Sequence, residues 1–165
     1  MKRLLIIWHS RTGASRALAQ AAAEGAAEGA PGEVEVRVRA AEDATAQDLL
    51  DADGYIFACP ENLAALSGEM KEFFDRTYYA VLERLNGRPY AALIAAGSDG
   101  QNAARQLARI ATGWRLKPIA EPLIVCTHAQ TPEAIAAPKA LGAAELAPAR
   151  ERGAALAAGL SMGMF

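Results

Sequence analysis

Residues 4–15 read LLIIWHSRTGAS. Leu4 to Trp8 is an unbroken apolar run, the pattern of a short strand buried on both faces. His9-Ser10-Arg11-Thr12-Gly13-Ala14-Ser15 follows, with hydroxyls at 10, 12 and 15, a glycine among them and no carboxylate. Residues 13–29 are alanine-rich and helix-prone, and Pro31-Gly32 ends them. A buried strand, a polar turn and a helix in that order form the opening unit of a parallel sheet wrapped by helices.

The same alternation continues along the chain. EVEVRVR (33–39) sets Val34, Val36 and Val38 against charges and reads as a half-exposed strand. GYIFAC (54–59) and YAALIAA (90–96) are further buried runs, and IAEPLIV (119–125) is a strand carrying a proline. Between them, 67–85 places Met70, Phe73, Phe74, Tyr78, Val81, Leu82 and Leu85 on one helical face, with Ser67 as N-cap. In 101–116, Ala103, Leu107, Ile110, Ala111 and Trp114 form another stripe. The alternating strand belongs on one edge. Pro122 cannot donate to a ladder, so its strand belongs on the other. With right-handed crossovers, these demands predict a three-layer, doubly wound α/β fold. Its five-stranded parallel sheet has the order 2-1-3-4-5. The tail, 129–165, reads as helical turns interrupted by Pro138, Gly142 and Pro148. Thr131-Pro132 starts the first turn, and a final helix is expected over about 149–160.

The composition bounds what such a fold does. A chain of 165 residues, 52% hydrophobic and 22% charged, is expected to form one domain, 1–165, with a sizeable core. A formal charge of −2 gives no field for nucleic acid or an anionic membrane surface. The N-terminal apolar run is too short for a secretory signal, and no stretch is long enough for a membrane span. Cys59 and Cys126 form neither a disulfide framework nor a metal-ligand spacing, so no metal is expected. The expected location is cytoplasmic.

In a sheet of this order, ligands bind beyond the carboxyl ends of the strands, where the winding reverses. The loops 9–15, 60–66 and 97–101 meet there. Successive N–H groups, Gly13 and three hydroxyls opening onto a helix N-terminus favour a phosphate dianion. G-x-x-x-x-G-K-[ST] and G-x-G-x-x-G are both absent, which argues against an NTPase and a dinucleotide fold. A receiver domain needs an acidic pair where His9-Ser10 stands. A low-molecular-weight phosphatase needs a cysteine at the start of the first loop.

The first loop resembles the flavodoxin phosphate motif [ST]-x-T-G-x-[ST] at every position from Ser10 to Ser15. ADGYIFACPENLAALSGEMKEFFDRTYY (52–79) resembles the second flavin-loop segment of the flavodoxin-like NAD(P)H-dependent FMN and quinone reductases. The shared marks are Pro60, Met70-Lys71 and Phe74-Asp75-Arg76-Thr77. RPYAALIAAGSDG (88–100) is similar to their third loop. The resemblance covers residues 3 to about 126 and implies the flavodoxin-like fold. It implies that Ser10, Arg11, Thr12, Gly13, Ala14 and Ser15 bind the FMN phosphate. It places Pro60, Glu61, Asn62 and Leu63 against one face and the edge of the isoalloxazine. Gly97, Ser98, Asp99 and Gly100 would meet the ribityl chain and pyrimidine end. Leu63 stands where the second loop usually carries a stacking aromatic, and Ala64 where a glycine often follows.

The implied function is an FMN-dependent oxidoreductase taking electrons from NADPH or NADH and passing them to a quinone or similar acceptor. The flavin does the chemistry, so no side-chain catalyst is implied. Two alternatives stand beside it: a flavodoxin-type electron carrier with no substrate of its own, and a flavodoxin-like binding protein that has lost flavin. A carrier is expected to be strongly acidic, which −2 is not. Of the remaining residues, His9 is expected to hydrogen-bond backbone at the strand end and His128 to be exposed. Cys59 is expected in the core, and Asp75 and Arg76 in an ion pair or a loop cap. Met162, Met164, Phe165 and Tyr78-Tyr79 are candidate contacts for a homo-oligomer.

Overall fold

The apolar run that opens the chain forms the centre of the sheet. In the computed structural model, which describes residues 1–165, β1 (Lys2–Trp8) lies between two parallel neighbours, β2 (Val34–Ala40) and β3 (Gly54–Asn62). Leu4, Leu5, Ile6 and Ile7 are all fully buried, because each face of the strand meets a helical layer. The sheet continues from β3 to β5 (Pro89–Ala96), also parallel. A two-residue strand, β4 (Ala65–Leu66), folds back antiparallel on the end of β3. β6 (Lys117–Pro118) and β7 (Leu123–Cys126) both pair with β5 and share the far edge. With the small hairpin strand set aside, the order is the expected 2-1-3-4-5. The proline-bearing strand is split: Ile119 N still donates to Tyr90 O, residues 120–122 leave the ladder, and Pro122 lies just outside β7.

The two faces of the sheet are packed differently. Leu5, Ile7, Tyr55, Phe57 and Tyr90 point to the side that carries Phe73, Phe74 and Trp114. These rings come from α3 (Gly68–Thr77) and from the C-cap of α4 (Gln101–Gly113). Phe74 sits 5.4 Å from Trp114 and 5.3 Å from Phe57, centroid to centroid, which favours tilted aromatic packing. Leu4, Ile6, Ile56, Ala58 and Leu93 point to the other side. There α1 (Ala14–Gly29) and α6 (Ala143–Ser161) present mostly alanine. A Cβ on Gly153 would run into the Ala22 carbonyl, so the close approach of these two helices depends on that glycine. Arg150 of α6 pairs with Glu24 and Glu28 of α1.

Several boundaries differ from the sequence reading. A short helix, α2 (Ala46–Asp51), stands where no element was expected; Thr45 and Asp48 form a reciprocal capping box that starts it. The helix expected over 67–85 ends at Thr77, and residues beyond it run as turns that still bury Val81 and Leu85. The last helix begins at Ala143, not 149, and contains Pro148. Proline there forfeits only the bond to the Ala144 carbonyl, and packing on α1 offsets the loss. The first turn after Thr131-Pro132 forms as expected: α5 (Pro132–Ala136) is capped by the Thr131 hydroxyl, which accepts from Ala134 N at 3.2 Å. No helix is long and apolar enough to cross a membrane.

Candidate functional site

The first loop is a turn with unspent donors. Gly13 adopts φ 106°, a left-handed conformation that favours glycine, and its N–H donates to Ser10 Oγ at 3.0 Å. The N–H groups of Arg11 and Thr12, and those of Ala14, Ser15 and Arg16 in the first turn of α1, have no acceptor within the protein. The Ser15 hydroxyl is 1% exposed as a residue, yet its Oγ has no hydrogen-bond partner. A buried hydroxyl left unpaired is costly, and native proteins rarely tolerate one without a ligand or water to satisfy it. Free N–H groups, an orphan hydroxyl and a helix N-terminus together are the donor set of a phosphate dianion.

The second loop is a hairpin, not an open turn. β3 runs through Pro60 to Asn62, and β4 returns with Asn62 opposite Ala65. Leu63 (φ 50°) and Ala64 (φ 63°) make the two-residue connection, with both residues left-handed as a type I′ turn requires. Neither is the Asn or Gly that this turn prefers, so the tip carries backbone strain. The Leu63 side chain is fully exposed. Glu61 turns away from the tip: its carboxylate accepts from Gly100 N at 2.9 Å and Ala103 N at 3.5 Å. It thereby caps α4 and ties the second loop to the third. Gly100 has φ 84°, and a Cβ on it would lie 2.6 Å from Ile124 Cγ2.

These loops border one cleft of about 310 Å³. Ser10, Arg11, Thr12, Ala14, Ser15, Pro60, Glu61, Asn62 and Gly97 line it. Gly13 stands behind the lining. Leu63 is at the hairpin tip, Ser98 and Asp99 are exposed on the rim, and Gly100 is buried beneath it. The remaining wall was not anticipated. Thr127, Ala129, Ile135, Ala136 and Lys139 close it from the segment after β7. No local motif marks them; they reach the cleft because that segment crosses back over the first loop.

Beside the cleft lies a polar cluster. Ser67, fully buried, occupies the N-cap position of α3 but does not cap it. Its hydroxyl instead meets His9 Nδ1 at 2.9 Å. His9 Nε2 lies 3.4 Å from Glu69, whose other oxygen is 3.7 Å from Arg11 Nη2. With the Asn62 amide turned so that both its ends find partners, Arg11 Nε donates to the amide oxygen at 3.2 Å. The His9 ring thus bonds side chains, not the backbone expected for it. Burial holds its pKa below the ordinary value, and Arg11 adds to this, while Glu69 and Glu42 oppose it. Ser67 is too buried to attack a substrate, so the Ser-His-Glu arrangement fixes loop positions.

Other expectations find their places. Cys59 is fully buried, and desolvation pushes its thiol pKa up to about 12. His128 is exposed. Arg76 caps the loop before α2, donating to the carbonyls of Ala44 and Ala41. Asp75 pairs with Lys71, and Arg76 with Glu72, so the two neighbours do not pair with each other.

The 2-1-3-4-5 sheet and a donor-rich loop after its first strand define a protein of the flavodoxin-like fold. The chain is similar to a flavodoxin from the domain Archaea (TM-score 0.76, 19% identity, 94% of this chain and 96% of that one). It is also similar to the flavodoxin, WrbA-like protein of Agrobacterium tumefaciens (TM-score 0.75, 18% identity, 99% of both chains). At these identities the likeness concerns the fold. Residues 1–131 match the model of the NADPH-dependent FMN reductases, and the chain belongs to that family. It is 34% identical over 100 residues to a flavodoxin of Aquifex aeolicus, a match over 61% of this chain and about half, 53%, of that relative's length.

Proposed function

We propose that the chain is an FMN-binding oxidoreductase that moves electrons from NADPH or NADH through the flavin to a quinone or similar acceptor. The observation that carries this reading is the orphan Ser15 hydroxyl among free N–H groups at the start of α1, in a member of this family. Bound FMN would supply the redox chemistry by accepting and releasing an electron pair.

The chain's own residues have three tasks in this reading. Ser10, Thr12, Ser15 and the N–H groups of residues 11, 12 and 14–16 hold the phosphate, and no carboxylate lies within the loop to repel it. Pro60, Asn62 and Leu63 border the ring, while Glu61 holds the second loop to the third through α4. Gly97, Ser98 and Asp99 form the rim beside the ribityl chain, with Gly100 buried beneath them. The small second loop, with Leu63 at its tip in place of a large aromatic, leaves room for a nicotinamide or quinone ring. A second copy of the chain would dock on the exposed Tyr79, Met162, Met164 and Phe165, at the end of the sheet away from the cleft; sedimentation at micromolar protein should then show at least a dimer.

Purified protein with FMN should oxidise NADPH or NADH when a quinone is added, well above free FMN at the same concentration. The flavodoxin relative favours a second reading, an electron carrier. That reading takes over if turnover never exceeds the free-FMN background, yet a dedicated reductase passes single electrons to the bound flavin. Failure to bind flavin at all would leave a flavodoxin-like binding protein.

A further inference from the structure

Residues 127–139 cross the cleft from the third loop to the first. Thr127 N donates to Ala96 O and His128 N to Gly97 O, each at 2.8 Å. His128 then takes a left-handed conformation, φ 58°, which redirects the chain. At the other end Lys139 N donates to Thr12 O at 2.8 Å, inside the phosphate loop. The Lys139 ammonium bonds the carbonyls of Ala134, Ile135 and Ala137, so the segment's own side chain ties off α5. Both glycines under this strap face its carbonyls. A Cβ on Gly97 would lie 3.2 Å from Ala129 O, and one on Gly13 would lie 3.5 Å from Lys139 O. Ile135, Ala136 and Lys139 line the cleft between these anchor points.

We infer that this strap makes the phosphate end of the cleft a dead end, and that Lys139 with its bond to Thr12 selects a phosphate monoester over a diester. The inference rests on the reading that a flavin phosphate occupies the first loop. A monoester ends in terminal oxygens, which the loop's donors satisfy. A diester must continue beyond phosphorus, and the strap, tied by its backbone to Thr12 O and lining the cleft with Ile135, Ala136 and Lys139, would close the cleft to that continuation. The strap thereby sets FMN apart from FAD, whose pyrophosphate and adenosine would have to displace it. This selection adds to the affinity from the donors and can be removed without touching them.

The test titrates the full-length apoprotein with FMN and with FAD, followed by flavin fluorescence. Wild type should favour FMN by about tenfold or more. Lys139→Pro removes both the N–H to Thr12 and the ammonium; it should bring the FMN/FAD ratio toward one while changing FMN affinity far less. Lys139→Met keeps the backbone bond and should keep most of the preference. If Lys139→Pro does not fold, the pair Ile135→Gly and Ala136→Gly loosens α5 at exposed positions and is read in the same way. A folded strap variant with the full wild-type preference, or wild type binding FAD as tightly as FMN, overturns the strap and leaves the flavin site standing. Wild type that binds neither flavin overturns both.

Discussion

The first and second loops sit at the ends of adjacent strands and are built on opposite plans. The loop and helix start at residues 10–16 keep their hydrogen-bonding capacity in reserve: the N–H groups of residues 11, 12, 14, 15 and 16 and the Ser15 hydroxyl have no partner in the protein. The loop at 60–66 has spent its own. Its backbone pairs across a hairpin, Glu61 caps α4, and Asn62 engages Arg11. Its tip offers an exposed leucine. A reserve of donors in one loop and its exhaustion in the next shows where binding energy is stored. Affinity for a flavin should come mainly from the phosphate end, and the ring end should be lightly held and open to a second substrate.

Ser15→Ala should have the largest effect of any single substitution in the first loop. Removing a hydrogen bond to a charged phosphate costs about 1.5–3 kcal/mol, or about tenfold or more in affinity. The hydroxyl satisfies nothing in the apoprotein, so apoprotein melting should stay the same or rise. A fall in apoprotein stability without loss of FMN affinity would show that Ser15 only packs.

Glu61→Ala should act on stability more than on affinity. It leaves the Gly100 N–H without its acceptor and α4 without its cap, a loss of about 1–2 kcal/mol in thermal or urea unfolding. An unchanged melting temperature would mean that the two loops are not joined through this carboxylate. Leu63→Tyr should strengthen FMN binding severalfold, since one aromatic contact contributes about 0.5–1.5 kcal/mol. If affinity does not move, the hairpin tip lies away from the ring.

The smallest effect is a pH slope. Burial lowers the His9 pKa from its ordinary value, so as pH falls the unfolded chain binds this proton first. Stability from neutral His9 is complete above about pH 6.5 and is lost as pH drops toward the folded-state pKa. His9→Asn should therefore flatten the stability change between pH 7 and pH 5 in urea unfolding. An equally steep profile in the variant would remove His9 as its source.

What the sequence made legible follows from how local each signal is. Leu4–Trp8, 54–59 and 90–96 announce buried strands because both of their faces meet helices, and the edge strands betray themselves by alternation and by Pro122. The phosphate loop is legible because its donors and hydroxyls are consecutive. The hairpin after Pro60 is not, because Leu63-Ala64 lacks the Asn-Gly signature of its turn. α2 carries a capping box at Thr45 and Asp48, but its run is too short to show a period. Pro148 suggested a boundary that packing against α1 overrides. The wall formed by Ile135, Ala136 and Lys139 is wholly tertiary: nothing near them in sequence tells that the strap returns to Thr12.

The comparison of the two loops is tested most directly by titrating the same apoprotein with FMN and with riboflavin, which share a ring and differ by the phosphate. If the first loop holds most of the binding energy, FMN should bind at near-equimolar content and riboflavin about a hundredfold more weakly or worse, as loss of several charge-assisted hydrogen bonds requires. Equal affinity for the two would contradict the account, placing the binding energy at the ring and leaving the donors of residues 10–16 to water.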